Sequence, residues 1–301
     1  MISDEKRKKR ARPLVRWHGG KWMIANWILE FLPAHETYTE AFGGGASILL
    51  RKPRASMAEV YNDLDQTIVR IFKVLRDPAK AEQLKTLLRL TPYSREEFLA
   101  AYEPTDDPVE EVRRTLVRSW MGYGSDGTAG VYRTGFRSIV NHAGKTPASE
   151  WVNYRSSLDA TIERIDGVTL ESCDAFELLV RYDTEDTLHY VDPPYLTSTR
   201  SSGNRRRGAG YHVYQHELSE DDHVRLLELL NGLSGMVVLS GYPSALYEKH
   251  LVGWRREERA AFADGGSPRT EVIWINPRCA ERLKEEQHYR DSHAPVLQFG
   301  S

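Results

Sequence analysis

Tyr38-Thr39-Glu40-Ala41-Phe42, running into Gly43-Gly44-Gly45 and then Ala46-Ser47-Ile48-Leu49-Leu50, decides the fold. The first five residues read as a short buried strand, the glycines as a tight turn, and the apolar run as the start of a helix. Ser56-Met57-Ala58-Glu59-Val60-Tyr61 repeats the strand pattern. Asn62-Asp63 ends it, and an amphipathic helix continues to about Leu75. Strand, helix, strand, helix is the opening of an α/β fold built on an open parallel sheet.

Outward from this stretch, the apolar residues from Trp22 to Leu32 recur at helical spacing after Gly19-Gly20, and residues 1–13 read as a basic, disordered arm. Downstream, 78–155 carries helical patterns and glycine-rich turns but no strong strand, as an inserted subdomain does. The sheet pattern resumes at Val168-Thr169-Leu170-Glu171, with a helix from Ala175 and a further strand over Thr187–Val191. Ser219, with Glu220 and Asp222 behind it, caps another helix. Gly235–Ser240 is a buried strand, and Trp254–Phe262 pairs with Thr270–Ile275 as a terminal hairpin.

Composition excludes several classes. With 40% hydrophobic and 28% charged residues, the chain is a soluble globular protein. No apolar run approaches the ~18 residues that cross a bilayer. Two cysteines, Cys173 and Cys279, are too few for a disulfide framework or a four-thiolate metal site, so a reducing cytoplasm is the expected location. The histidines show no metal-ligand spacing. The net charge of −2 gives no global attraction to nucleic acid, but six Lys/Arg lie in the first twelve residues and Arg205-Arg206-Arg207 form a second cluster. Such clusters hold phosphate or merely solvate a tail and a loop.

The chemistry concentrates at Asp192-Pro193-Pro194-Tyr195, directly after the Thr187–Val191 strand, where open α/β sheets place their ligands. An amino group on a base such as adenine is a poor nucleophile, because its lone pair is delocalised into the ring. Two acceptors aimed at its hydrogens favour a tetrahedral nitrogen. Asp192 offers a carboxylate oxygen and Pro193 a carbonyl that the second proline, Pro194, helps to fix. Tyr195 offers an aromatic face worth ~1–3 kcal/mol to a stacked base. The plain alternative is a proline turn with Tyr195 packed in the core.

Phe42-Gly43-Gly44-Gly45 lets a backbone approach a ligand closely. Asp63, at the end of the next strand, is placed to bind ribose hydroxyls. Ile48 occupies the last position of the GxGxxG fingerprint, which disfavours a dinucleotide. Trp17-His18-Gly19-Gly20-Lys21 lacks the serine or threonine of a phosphate loop. Lys21 instead meets a ligand carboxylate or Asp192, or is simply an exposed lysine. Asp174, in Cys173-Asp174-Ala175-Phe176, either accepts from an adenine amino group or caps a helix, and sequence alone favours the cap.

In this order, Trp17–Lys21, Glu40–Gly45, Asn62-Asp63-Leu64, Asp174 and Asp192–Tyr195 resemble the Dam-like (D12 class) N6-adenine DNA methyltransferases. The likeness, strongest to phage and prophage members, continues through Thr199-Arg200, His216-Glu217, Ser240-Gly241-Tyr242 and Glu271–Asn276. It implies a Rossmann-like methyltransferase fold with a mixed seven-stranded sheet, in which 14–77 and 156–301 form the catalytic domain and 78–155 a mainly helical target-recognition insert. It implies S-adenosylmethionine as cofactor, held by Trp17, Lys21, Phe42, Gly43, Gly45, Asp63, Asp174 and Phe176. It places catalysis at Asp192, Pro193, Pro194 and Tyr195, on an adenine flipped from double-stranded DNA. Ala41 stands where the family usually has proline, and the insert lacks the arrangement that reads GATC in the best-known members.

The candidates for DNA contact are Arg118, Tyr123, Arg133 and Arg137 of the insert, with Arg200, Arg205, Arg206 and Arg207. A monomer without metal or membrane attachment is expected. Two rivals stay open: an RNA or protein N-methyltransferase, and a non-catalytic DNA-binding module on the same fold.

Overall fold

The computed structural model describes residues 11–124, 128, 133–138, 146–199, 217–262 and 268–293. The seven strands are β1 Thr37–Glu40, β2 Ala58–Asn62, β3 Thr169–Glu171, β4 Thr187–Val191, β5 Met236–Gly241, β6 Arg255–Phe262 and β7 Pro268–Ile275. They form one sheet in the order β3-β2-β1-β4-β5-β7-β6. Strands β1 to β5 run parallel, and β7 enters antiparallel between β5 and β6. The expected mixed seven-stranded sheet is therefore present, as is the terminal hairpin.

Every residue of β4 and β5 is buried, as befits central strands covered on both faces. His189, in the middle of β4, has Nδ1 2.8 Å from Thr39 Oγ1 and Nε2 3.3 Å from Asp183 Oδ1. The imidazole of this hydroxyl–imidazole–carboxylate line is fully buried, and only Asp183 at its end is partly exposed. The line fastens β1 to β4.

The helices are α1 Ala25–Leu29, α2 Gln66–Leu75, α3 Pro78–Leu90, α4 Arg95–Ala100, α5 Pro108–Met121, α6 Pro147–Arg155, α7 Leu158–Ile165, α8 Ala175–Arg181, α9 Glu220–Gly232, α10 Ala245–His250 and α11 Pro277–Ser292. Side-chain caps set many of their starts: Asp65 for α2, Asp107 for α5, and Ser219 with Asp222 in a capping box for α9.

The insert shares its core with the sheet domain. Ile68 and Phe72 of α2 belong to the same apolar cluster as Leu84, Leu116 and Trp151 of α3, α5 and α6. The chain entering the fold is also tied to α5. Trp120 donates its indole N–H to the Leu14 carbonyl at 3.0 Å, and the Arg16 amide donates to Ser119 Oγ at 2.7 Å.

One local expectation differs from the structure. Residues 46–51 form turns, not a helix. The buried Glu40 carboxylate captures the Leu49 amide at 2.9 Å, and Ala46 adopts a left-handed φ of 53°, so the hydrogen-bond ladder never becomes regular. Helix α11 was not legible because its only buried residue is Cys279, which leaves no apolar stripe.

Candidate active site

Strand β1 lies between β2 and β4, and the direction of chain progression across the sheet reverses there. Open α/β sheets bind ligands in the crevice beyond their carboxyl ends at such a point. Glu40 and Tyr190 are register partners, so the loops after β1 and β4 leave the sheet side by side. Between them and the 17–21 segment lies a narrow cleft of about 30 Å³, lined by Trp17, His18, Gly19, Gly20, Lys21, Glu40, Gly43, Gly44, Gly45, Ser47, Ile48, Tyr190 and Asp192.

Asp192 follows β4 directly. Its Oδ2 lies 2.9 Å from Lys21 Nζ, and Lys21 also donates to the Gly19 carbonyl at 2.6 Å. Its Oδ1 is buried and has no hydrogen-bond partner. Burial pushes the Asp192 carboxyl above the usual range, and the Lys21 ammonium opposes that shift. The lysine thus favours the anion, the form that accepts two hydrogen bonds, in a site that would otherwise neutralise it. Pro193 is buried and Pro194 half-buried.

Tyr195 is 7% exposed, so a base reaches its face only when the cleft opens. Lys21 Nζ sits 4.7 Å from the ring centroid, Tyr242 meets the ring at 74° with centroids 4.5 Å apart, and the hydroxyl donates to Glu271 Oε2 at 3.0 Å.

The glycine turn is packed too tightly for side chains. A Cβ on Gly43 would lie 2.1 Å from the Tyr61 ring, and one on Gly44 2.6 Å from the Trp17 indole. Gly44 also has φ +46°, a conformation that favours glycine. Trp17 therefore lies on the loop itself. Glu40, beneath it, accepts from Leu49 N and from the Tyr38 hydroxyl at 3.1 Å, and burial pushes its carboxyl up to about 8.

The remaining candidates, Phe42, Asp63, Asp174 and Phe176, do not line the cleft. Asp63 accepts the Gly44 amide at 2.6 Å and the Asp65 amide at 2.7 Å. Asp174 caps α8, accepting from Phe176 N and Glu177 N. Phe42 and Phe176 are half-buried against the core cluster of the β4–β5 side, and Phe176 lines a separate groove between α8 and α9 beneath Arg225.

The DNA candidates divide. Arg118 donates to the Ala101 carbonyl and Thr115 Oγ1, and Arg137 pairs with Glu150, so both brace the insert from within. Arg133 and Tyr123 are 66% and 68% exposed. Arg200, Arg205, Arg206 and Arg207 lie outside the described residues. Among the described residues, no group of three His, Cys, Asp or Glu is placed to hold a metal ion, and no helix is long and apolar enough to cross a membrane.

Comparison with known proteins decides the class. Residues 17–253 match the D12 class N6 adenine-specific DNA methyltransferases. The chain belongs to this family. It is an adenine-specific DNA methyltransferase, of a class that uses S-adenosylmethionine. Two relatives support the assignment. The type II methyltransferase M.MjaIII of Methanocaldococcus jannaschii is 24% identical over 74% of this chain and 80% of its own length. The type II methyltransferase M1.LlaDCHI of Lactococcus lactis subsp. cremoris is 27% identical over 90% of this chain and 98% of its own.

For a D12 class methyltransferase the sequence reading missed Glu40, which lines the cleft, and two residues that support its surroundings, Asn62 and Glu271. Glu40 carried a signal, a carboxylate inside a buried strand, which burial statistics make unusual. Asn62 carried less: it reads as a strand terminator, yet its side chain donates to the Ala41 and Cys173 carbonyls and binds the ends of three strands together. Glu271 carried none, because its partner Tyr195 is 76 residues away.

Proposed function

We propose that this enzyme methylates the N6 nitrogen of an adenine flipped out of double-stranded DNA, with the Trp17–Asp192 cleft as its S-adenosylmethionine site. The single observation that carries the reading is the Asp192 carboxylate, one oxygen held by Lys21 and the other buried without a partner. A buried acceptor left unsatisfied is costly, and it is retained where a ligand satisfies it.

The cleft fits the cofactor chemically. Glycines 43 to 45 present backbone to the cleft, Asp192 suits a cationic ligand, and Lys21 suits a carboxylate. S-adenosylmethionine, when bound, supplies a methyl group on a cationic sulfur. Asp192 Oδ1 accepts one hydrogen of the adenine amino group and the Pro193 carbonyl the other. This pyramidalises nitrogen and turns its lone pair toward the methyl group. Tyr195 stacks the base, and closure around it excludes water. Asp174 and Phe176 would hold the adenine of the cofactor, and Asp63, which fixes the glycine turn, would hold its ribose. Arg133 and Tyr123, with Arg200 and Arg205–Arg207, contact the duplex.

Both relatives are named type II methyltransferases, which supports a role beside a restriction enzyme. Asp192→Ala is expected to abolish tritium transfer from labelled S-adenosylmethionine to plasmid DNA while cofactor binding persists. Retained turnover would overturn the assignment of Asp192.

A further inference from the structure

Glu271 lies on β7, the antiparallel strand inserted beside β5, and its carboxylate accepts the Tyr195 hydroxyl at 3.0 Å. We propose that Glu271 is a positioning residue for methyl transfer: by holding the Tyr195 hydroxyl it fixes the plane of the ring against which the adenine stacks. This rests on the methyltransferase reading of the same cleft.

The geometry is that of a ring held from several sides. A tyrosine side chain has two soft torsions, so its hydroxyl end swings widely unless something grips it. Here the hydroxyl is gripped by β7, the ring faces the Lys21 ammonium at 4.7 Å, and Tyr242, just past the end of β5, meets it at 74°. The same ammonium is bonded to Asp192 at 2.9 Å. Ring plane and carboxylate are thereby referenced to one point, and Glu271 supplies the constraint at the far end of the ring. Strand β7 pairs Val272 with Gly241 and Ile273 with Ser240, which sets Glu271 one residue beyond the ladder, level with Tyr242.

The placement is also electrostatically demanding. Glu271 is drawn upward in pKa by burial and by Asp192, and downward by Lys21 and by the Tyr195 hydroxyl. A mostly buried carboxylate is costly unless a donor meets it. The Tyr195 hydroxyl is the donor that Glu271 finds. A leucine would pack as well on β7 without that demand, so filling space alone does not account for a glutamate.

A double-mutant cycle on the full-length enzyme tests this, read as kcat, KM for plasmid DNA and the S-adenosylmethionine Kd. Glu271→Leu and Tyr195→Phe are each expected to lower kcat by about tenfold or more, the scale of a misplaced reacting group, with cofactor Kd within about twofold of the parent. The double variant should be no slower than the worse single one, since both remove one interaction. Glu271→Gln, whose amide oxygen still accepts the hydroxyl, should recover kcat to within a few fold and serves equally if the leucine variant folds poorly. Additive losses in the cycle, an unchanged kcat in Glu271→Leu, or a glutamine variant as slow as the leucine one would overturn the role. If the unaltered enzyme transfers no methyl group to DNA, the reading of the cleft itself falls. If it does and Glu271→Leu matches it, only the positioning role falls.

Discussion

Gly44 donates its backbone amide to the Asp63 carboxylate across 2.6 Å, tying the turn after β1 to the end of β2. Asp63 thus shapes the loop that lines the cleft. Asp63→Ala is expected to raise the S-adenosylmethionine Kd by about tenfold or more, the worth of a charge-assisted hydrogen bond. It should also lower the melting temperature, because the Asp65 amide loses its acceptor too. Titration calorimetry and thermal unfolding check both. An unchanged Kd would count against any role for Asp63 in the cleft.

Glu40 gives stability a pH dependence. Its carboxyl is pushed to about 8 in the folded protein, mainly by burial, against an ordinary value of 4.5. Between those values the folded state holds a proton that the unfolded state has released. Its contribution to stability is therefore full below about pH 4.5, falls as pH rises, and is lost above about 8. Glu40→Gln should flatten this limb of the melting-temperature profile between pH 5 and 8 and leave the variant the more stable form at pH 8. Parallel profiles would show that Glu40 titrates normally.

Glu59 is buried on β2 and pairs with Lys52 at 2.6 Å and with both terminal nitrogens of Arg164, at 2.6 and 2.9 Å. Removing one partner of such a cluster strands the others. Glu59→Ala is expected to cost about 3–5 kcal/mol in urea unfolding. A loss below about 1 kcal/mol would mean that water replaces the carboxylate.

The arginines of the insert separate by experiment. Arg133→Ala should weaken DNA binding and lower the salt slope by about 0.9, with no change in melting temperature. Arg137→Ala should lower the melting temperature, since its guanidinium pairs with Glu150 inside the insert. If Arg137→Ala reduced the salt slope instead, that guanidinium would be a phosphate ligand.

The sheet was legible because its strands are short apolar runs placed by glycine and proline punctuation. Thr187–Val191 was read at its observed bounds, and the Asp192–Tyr195 motif was found at its end. Lys21 was read as a partner for a carboxylate, and Asp192 is that partner. Other features depend on contacts between distant residues. The apolar Ala46–Leu50 run looks helical locally, but the left-handed Ala46 and the Glu40 carboxyl taking the Leu49 amide break the ladder. The interleaved arginines and aromatics of the insert resemble a nucleic-acid surface. Trp120 and Trp151 are buried core, and Arg113 and Arg114 pair with Glu110. Periodicity distinguishes a face from a core only when one side of a helix is polar, and α5 is packed on several sides.

The continuity of the core from α2 into α3, α5 and α6 constrains how the helical segment is exchanged among such enzymes. A chimera that transplants 78–155 as a cassette severs Leu14 and Arg16 from Trp120 and Ser119, and sets a foreign surface against Ile68 and Phe72. Grafts that carry α2 and the 14–17 strap along with the insert keep those seams intact. Point changes on the outer face of 78–155 are therefore better tolerated than replacing the segment whole.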